Sequence, residues 1–257
     1  MANIPLVDAL SFERVAAEYE ATRPMPSVIA ERVARRCVRG LPPSAWFLDA
    51  GTGTGRIGRA LATQHKRTVG IDISPAMLSK AVGLHRVLAD LRALPFPDGA
   101  FAGVLGVHVL HLMPEWKATL AELWRVVMPG GTLVLGFEER DPTVTRELYQ
   151  SLARERGIEM GRAGGTQAEI LAQLKVLGGE VALTRPTDLA WSSATTVLQT
   201  LQALEKRLYS ALWEIDEEVH QELLAETRVQ AKSKLGSERY TEVAAIQMLL
   251  VEVRKRA

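Results

Sequence analysis

Leu48-Asp49-Ala50-Gly51-Thr52-Gly53-Thr54-Gly55-Arg56 is the stretch on which the fold turns. Trp46 to Ala50 reads as a short buried strand, and Arg56–His65 as a helix. Between them, alternating glycines let the backbone turn tightly and let a ligand approach the main chain, where the helix start offers unpaired N–H groups. The same unit recurs outward from the loop. Thr68–Ile73 reads as a second strand, with Ser74 capping and Pro75 opening a helix to about Gly83. Val87–Ala89 is expected as a third strand, Phe101–Leu110 as a fourth and Glu115–Val127 as a helix. Pro129-Gly130-Gly131 turns into a fifth strand, Thr132–Phe137. Strands alternating with helices imply right-handed βαβ units. The expected fold is α/β: a Rossmann-like, doubly wound, mostly parallel seven-stranded sheet with a helical insertion serving as a lid.

On the N-terminal side, Ser11 caps an expected helix with Phe12, Val15, Ala16 and Tyr19 on one face, ended by Arg23-Pro24. A second helix is expected over Ser27–Arg39, with Ile29, Val33 and Cys37 inward. Beyond Asp141-Pro142 the punctuation thins. All five Phe precede residue 140, and beyond Gly179 the only glycine is Gly236. Helices are expected over Thr143–Arg156, Thr166–Leu177, from Val197 through Leu212, and over Asp216–Lys234. Glu180–Thr184 reads as a strand, and Val243–Val253 as a closing strand whose first half also suits a helix. This divides the chain into residues 1–140 (N-terminal helices and ligand-binding core), 141–240 (a mostly helical lid and substrate region with one sheet strand near 180–185) and 241–257 (the closing strand). Gly161, Gly164 and Gly165 read as a flexible connection suited to lid movement.

The 257 residues carry 31 Lys and Arg against 30 Asp and Glu, a formal charge of +1. Such a balance argues against a bulk nucleic-acid or anionic-membrane binder, since both need a standing basic field. The longest apolar run, Ala100 to Met113, is interrupted by His108 and His111 and is too short to span a bilayer. A single cysteine, Cys37, forms no internal disulfide, so a cytoplasmic protein is expected.

Two ligands compete for the loop. Gly53, Gly55 and Gly58 satisfy the dinucleotide pattern G-x-G-x-x-G. The alternative is S-adenosylmethionine, with Asp49 placed to meet its ammonium directly or through water. Asp72, twenty-one positions after Gly51, is where an acid accepts from both ribose hydroxyls, and it serves either ligand.

Further motifs separate the two. VGIDISPAMLSKA (69–81), LADLRALPFPDGAFAGVLGVHVLHL (88–112) and LWRVVMPGGTLVL (123–135) follow LDAGTGTG in order. Together they resemble class I S-adenosylmethionine-dependent methyltransferases of the type 11 family, the group containing the ubiquinone- and menaquinone-biosynthesis C-methyltransferases. The resemblance covers about residues 12–138. It implies that Gly51, Thr52, Gly53 and Gly55 hold the methionine part of S-adenosyl-L-methionine, and that Asp72 binds its ribose. Ile73 and Met77 would lie by the adenine, and Asp90 with the Leu91 N–H would meet the adenine edge. Val107 completes the pocket. Tyr19 and Arg23 resemble the family's N-terminal segment and would close over the cofactor. The chain departs from the pattern at Ala102, where an acid is usual, and at His108, an extra histidine before the usual one at His111.

The implied reaction is in-line transfer of a methyl group to an O, N or C atom of a small-molecule acceptor, with protein residues binding and aligning. His108 is the preferred base, since histidine titrates near neutrality and the end of the fourth strand is where ligands sit in open α/β sheets. His108 and His111 have no third ligand grouped with them, so no metal is expected. Trp191, Tyr209 and Trp213 are candidates to line an apolar or aromatic acceptor pocket. The rival readings are an NAD(P)-dependent oxidoreductase and a non-catalytic S-adenosylmethionine-binding regulatory protein.

Overall fold

A computed structural model of the chain describes residues 25–160 and 164–256. The first expected helix, with Tyr19 and Arg23, lies outside the described residues. Helix α1 (Ser27–Val38) buries Ile29, Ala30, Val33, Ala34 and Cys37 along one stripe, and Gly40 at φ 76° reverses the chain after it. Strand β1 (Phe47–Ala50) is buried throughout and feeds the glycine loop, after which α2 (Gly58–Gln64) begins. Strand β2 (Thr68–Asp72) leads to α3 (Pro75–Lys80), where the Ser74 side chain accepts from the Met77 N–H at 3.1 Å. Then come β3 (His85–Leu88), β4 (Phe101–Val107), α4 (Trp116–Val126) and β5 (Val127–Arg140).

The remaining elements are α5 (Val144–Glu155), α6 (Gln167–Val176), β6 (Glu180–Thr184), β7 (Ala190–Thr196), α7 (Val197–Glu205), α8 (Glu217–Leu235) and β8 (Thr241–Arg254). The sheet runs β3-β2-β1-β4-β5-β8-β6, with β1 to β5 parallel and β8 antiparallel to both its neighbours. An eighth strand, β7, pairs with the first half of β8, so β6 and β7 follow one another along the same edge. The first half of β8 is thus a strand. Its alternation of Glu242, Ala244 and Ile246 inward with Val243 and Ala245 outward has the two-residue period of a half-buried ribbon.

Two apolar layers sandwich the sheet. Leu120, Leu123 and Trp124 of α4, with Ile170 and Leu174 of α6, pack on Leu48, Ile71, Val104 and Leu133. On the other face, α1 and Leu61 of α2 pack with Phe47, Leu105, Val134 and Leu250. Helix α6 therefore covers the sheet, whereas α5, α7 and α8 form their own cluster around Tyr149, Leu201, Leu212 and Leu223. A smaller contact joins that cluster to the sheet: Ala203 and Leu208 pack on Met77 of α3.

Helix α7 stops at Glu205, short of Leu212. Arg207 has φ 50°, a left-handed conformation a helix interior does not take, and the turn that follows still buries Leu208 and Leu212. The chain around residue 164 is tightly packed. The Gly164 N–H donates to the His111 carbonyl at 3.1 Å, and a Cβ on Gly164 would strike the Leu110 carbonyl oxygen. A Cβ on Gly165 would lie 2.6 Å from the Trp116 ring. Glycine is needed at both for close approach, where the sequence suggests flexibility; Gly161 lies outside the described residues.

Candidate cofactor site

A cavity opens at the carboxyl ends of β1, β2 and β4, where the parallel strands leave a crevice. Its wall contains Gly51 and Gly53 of the loop, Asp72 and Ile73 at the end of β2, and Met77 of α3. Asp90, Leu91 and Arg92 follow β3, and Val107, His108, Val109, Leu112 and Met113 complete the wall at the end of β4. Nine of the residues singled out in the sequence meet here: Gly51, Gly53, Asp72, Ile73, Met77, Asp90, Leu91, Val107 and His108.

Backbone donors fix the Asp72 carboxylate at the rim. The Gly53 N–H reaches Oδ2 at 2.8 Å, and the Ser74 N–H reaches Oδ1 at 2.9 Å. Gly53 has φ 56°, and among the described residues a Cβ there would meet nothing within 4 Å, so the space above the loop is open to a ligand. Beside Asp72, whose carbonyl accepts from the Ala89 N–H at 3.1 Å, Asp90 accepts from Arg92. The Arg92 N–H reaches Oδ1 at 2.7 Å, and the guanidinium Nε and Nη2 reach Oδ2 at 3.0 and 2.8 Å. A forked arginine of this kind holds a carboxylate in plane as well as in place. Arg92 is not among the residues expected from the sequence; its signal is the Asp-x-Arg spacing directly after the third strand.

Asp49, Thr52 and Gly55 stand off the cavity. Asp49 is 4% exposed and accepts from the Thr52 hydroxyl at 2.6 Å. Burial pushes its carboxyl up to about 6; the Thr52 bond opposes the rise and the Asp72 charge adds to it. Direct contact between Asp49 and an ammonium in the cavity, one of the two routes expected, is not what this placement offers. Gly55, at φ 80°, lets the loop close on α3, since a Cβ there would lie 2.9 Å from the Ala81 Cα.

His108 follows β4 with φ 57°, a conformation costing a non-glycine residue on the order of 1–2 kcal/mol. Its Nε2 lies 3.2 Å from Oε1 of Glu138, at the end of β5, and its ring meets the His111 ring edge-on at 5.5 Å. Glu138 also faces Arg140 at 3.9 Å and Arg56 at 4.0 Å. Burial alone would raise its carboxyl, but His108, Arg56 and Arg140 outweigh that and hold it down at about 2. Glu138 was not read from the sequence: nothing in Gly-Phe-Glu-Glu distinguishes the buried acid from the exposed one.

The expected aromatic pocket does not form on this wall. Trp191 packs beside Leu189 and Met248 on the sheet face carrying α1. Tyr209 lies under the Arg146 guanidinium at 4.5 Å, and the Trp213 indole donates to the Arg207 carbonyl at 2.9 Å.

Residues 48–135 match the family model described as "Methyltransferase domain". Over this stretch the chain is similar to that domain. The matched stretch runs from β1 into β5 and contains the glycine loop and all the cavity residues. Malonyl-[acyl-carrier protein] O-methyltransferase of Serratia marcescens is 32% identical over 130 residues, 49% of this chain and 50% of that protein. Demethylmenaquinone methyltransferase of Mycolicibacterium vanbaalenii is 29% identical over 224 residues, 77% of this chain and 94% of that one. The chain spans about half the length of the first of these curated relatives and of another demethylmenaquinone methyltransferase, from Tropheryma whipplei.

Among solved structures, phosphoethanolamine N-methyltransferase 2 of Haemonchus contortus, in complex with S-adenosyl-L-methionine, superposes with a TM-score of 0.53 at 14% identity. It covers 89% of this chain and 52% of its own. An S-adenosylmethionine-dependent methyltransferase of Thermotoga maritima gives 0.53 at 18% identity, covering 97% of this chain and 100% of its own. At these identities the likeness is one of fold, and the fold is that of the class I methyltransferases. No helix among the described residues is long and apolar enough to cross a membrane.

Proposed function

We propose that this chain is an S-adenosylmethionine-dependent methyltransferase acting on a small-molecule acceptor. One observation carries the reading: Asp72 is held by two backbone N–H groups at the rim of a cavity that the glycine loop leaves open, with Asp90 beside it after the neighbouring strand. That donor set suits a nucleoside. A carboxylate accepts from vicinal hydroxyls, apolar side chains face a flat base, and a second acid meets the base's amino edge.

Asp72 takes the ribose hydroxyls. Ile73, Met77 and Leu91 enclose the adenine, and Asp90, held by Arg92, accepts from its amino group. Gly51, Gly53 and Val107 border the methionine part. Asp49 and Thr52 keep the loop in shape from behind, and Gly55 seats it on α3. Bound there, S-adenosylmethionine supplies a methyl group activated by its sulfonium sulfur. The chain orients the acceptor along the sulfur–methyl axis and excludes water with Val109, Leu112 and Met113. His108 accepts the proton of an acceptor whose attacking atom carries one. The lone cysteine, buried in α1, supports a cytoplasmic setting.

Isothermal calorimetry with S-adenosylmethionine, S-adenosylhomocysteine and NAD tests the reading. The first two are expected to bind and NAD to give no heat; binding of NAD alone overturns it.

A further inference from the structure

Glu138 is a buried acid that is not among the residues lining the cavity. Its side chain is 7% exposed, and three groups face it: His108 from the end of β4, Arg56 from the glycine-loop junction and Arg140 from β5 itself. Glu138 Oε1 and His108 Nε2 are closed to solvent and lie 3.2 Å apart, and neither has another hydrogen-bond partner among the described residues. Leaving two such polar atoms buried is costly unless they serve each other. His108 also sits in a strained backbone conformation, which persists only where its surroundings enforce it. With Nε2 turned inward, the 16% exposure of the ring falls on its remaining atoms, and His108 borders the cavity beside Val107 and Val109.

We propose that Glu138 is the positioning residue for His108: its carboxylate takes the Nε2–H, which fixes the tautomer and turns the Nδ1 lone pair toward the cavity. This rests on the reading of His108 as the proton acceptor. In the transfer, the acceptor atom forms its bond to the methyl carbon as the carbon–sulfur bond breaks toward sulfur. The acceptor's proton passes to Nδ1. The imidazolium so formed keeps its Nε2–H against Glu138, whose negative charge offsets the new positive one. Arg56 and Arg140 favour the ionised carboxylate, and the His111 ring meets that of His108 edge-on.

Nitrogen-15 NMR of the histidine rings tests this on the full chain saturated with S-adenosylhomocysteine, with His108 assigned by loss of its signals in His108→Asn. The wild type should show one neutral tautomer, protonated at Nε2, with an N–H proton slow enough in exchange to be seen. In Glu138→Met, of equal length and no charge, that proton signal should be lost to exchange. A proton on Nδ1 in the wild type, or an identical spectrum in Glu138→Met, overturns the proposal. If the methionine variant does not fold, the wild-type tautomer decides alone. Calorimetry on the same samples separates the two readings. Failure to bind S-adenosylhomocysteine sinks the cofactor assignment while the tautomer of the free protein still tests Glu138. A proton on Nδ1 in a protein that binds it removes only the role of Glu138.

Discussion

The Gly53 N–H donates to Asp72 Oδ2 at 2.8 Å, so the loop after β1 and the acid ending β2 hold each other in place. Removing the acid therefore acts twice. Asp72→Ala should weaken S-adenosylhomocysteine binding by ~1–3 kcal/mol through lost charge-assisted hydrogen bonds, read by calorimetry. Unchanged affinity in a folded variant would remove Asp72 from the ribose site.

Gly51 and Gly53 should separate stability from binding. An alanine at Gly51 has φ 69° and its Cβ lies 2.5 Å from Val109 Cγ2. Left-handed strain of ~1–2 kcal/mol joins overpacking of ~1–3 kcal/mol, so urea midpoints should fall clearly. Alanine at Gly53 suffers only the backbone cost but puts a methyl into the ligand's space. Its affinity should fall more than its stability, and the reverse ranking would contradict the cradle.

Asp49 gives a pH prediction. Its folded-state value, about 6, lies above the ordinary 3.8, so the native protein holds the proton more tightly than the unfolded chain. That contribution is complete below the unfolded value and is lost as pH rises through about 6. In cofactor-free protein, Asp49→Asn should match wild type near pH ~3.5 and gain on it by on the order of 2–3 kcal/mol by pH ~8. Denaturation at the two pH values checks it, and a constant difference between the proteins rejects it.

The helical cluster is anchored by Tyr149, whose hydroxyl meets His220 Nδ1 at 2.6 Å, while His220 Nε2 meets the Leu204 carbonyl at 3.1 Å. Tyr149→Phe leaves a buried ring nitrogen unpaired and should cost ~1–3 kcal/mol of stability. Burial, then the Arg207 charge, pushes His220 below its usual value. Stability from this group is therefore present above the unfolded histidine range, and falls as pH drops below ~6.5. An acid-side loss that persists undiminished in His220→Gln would place its origin elsewhere.

The sheet and the cavity wall are legible in the sequence because their signals are local. Gly51 to Gly55, Ser74-Pro75 and Asp72 act through backbone conformation and short spacing, and the structure puts them where those constraints lead. The missed residues depend on pairing across the chain. Glu138 and Glu139 are neighbours of equal chemistry, and only the packing of β5 against the β4 end decides which one meets His108. Strand β7 escaped because Ala190-Trp-Ser-Ser-Ala-Thr-Thr196 has small, polar residues that pair only once β8 offers an edge. Helix α7 was read too long because leucine spacing continues through a turn that Arg207 imposes.

Strand β8 has two clients. One edge pairs with β5, Thr132 opposite Arg254, and the other edge pairs with β6 and β7. Every residue of the helical region must be synthesised before the exposed side of β5 acquires its partner. Until then Leu133, Val134 and Leu135 present an apolar ribbon with unpaired amides, an invitation to another nascent chain. The protein's vulnerable period is thus set by the order of its elements along the chain, and its final strand doubles as the closure that ends it.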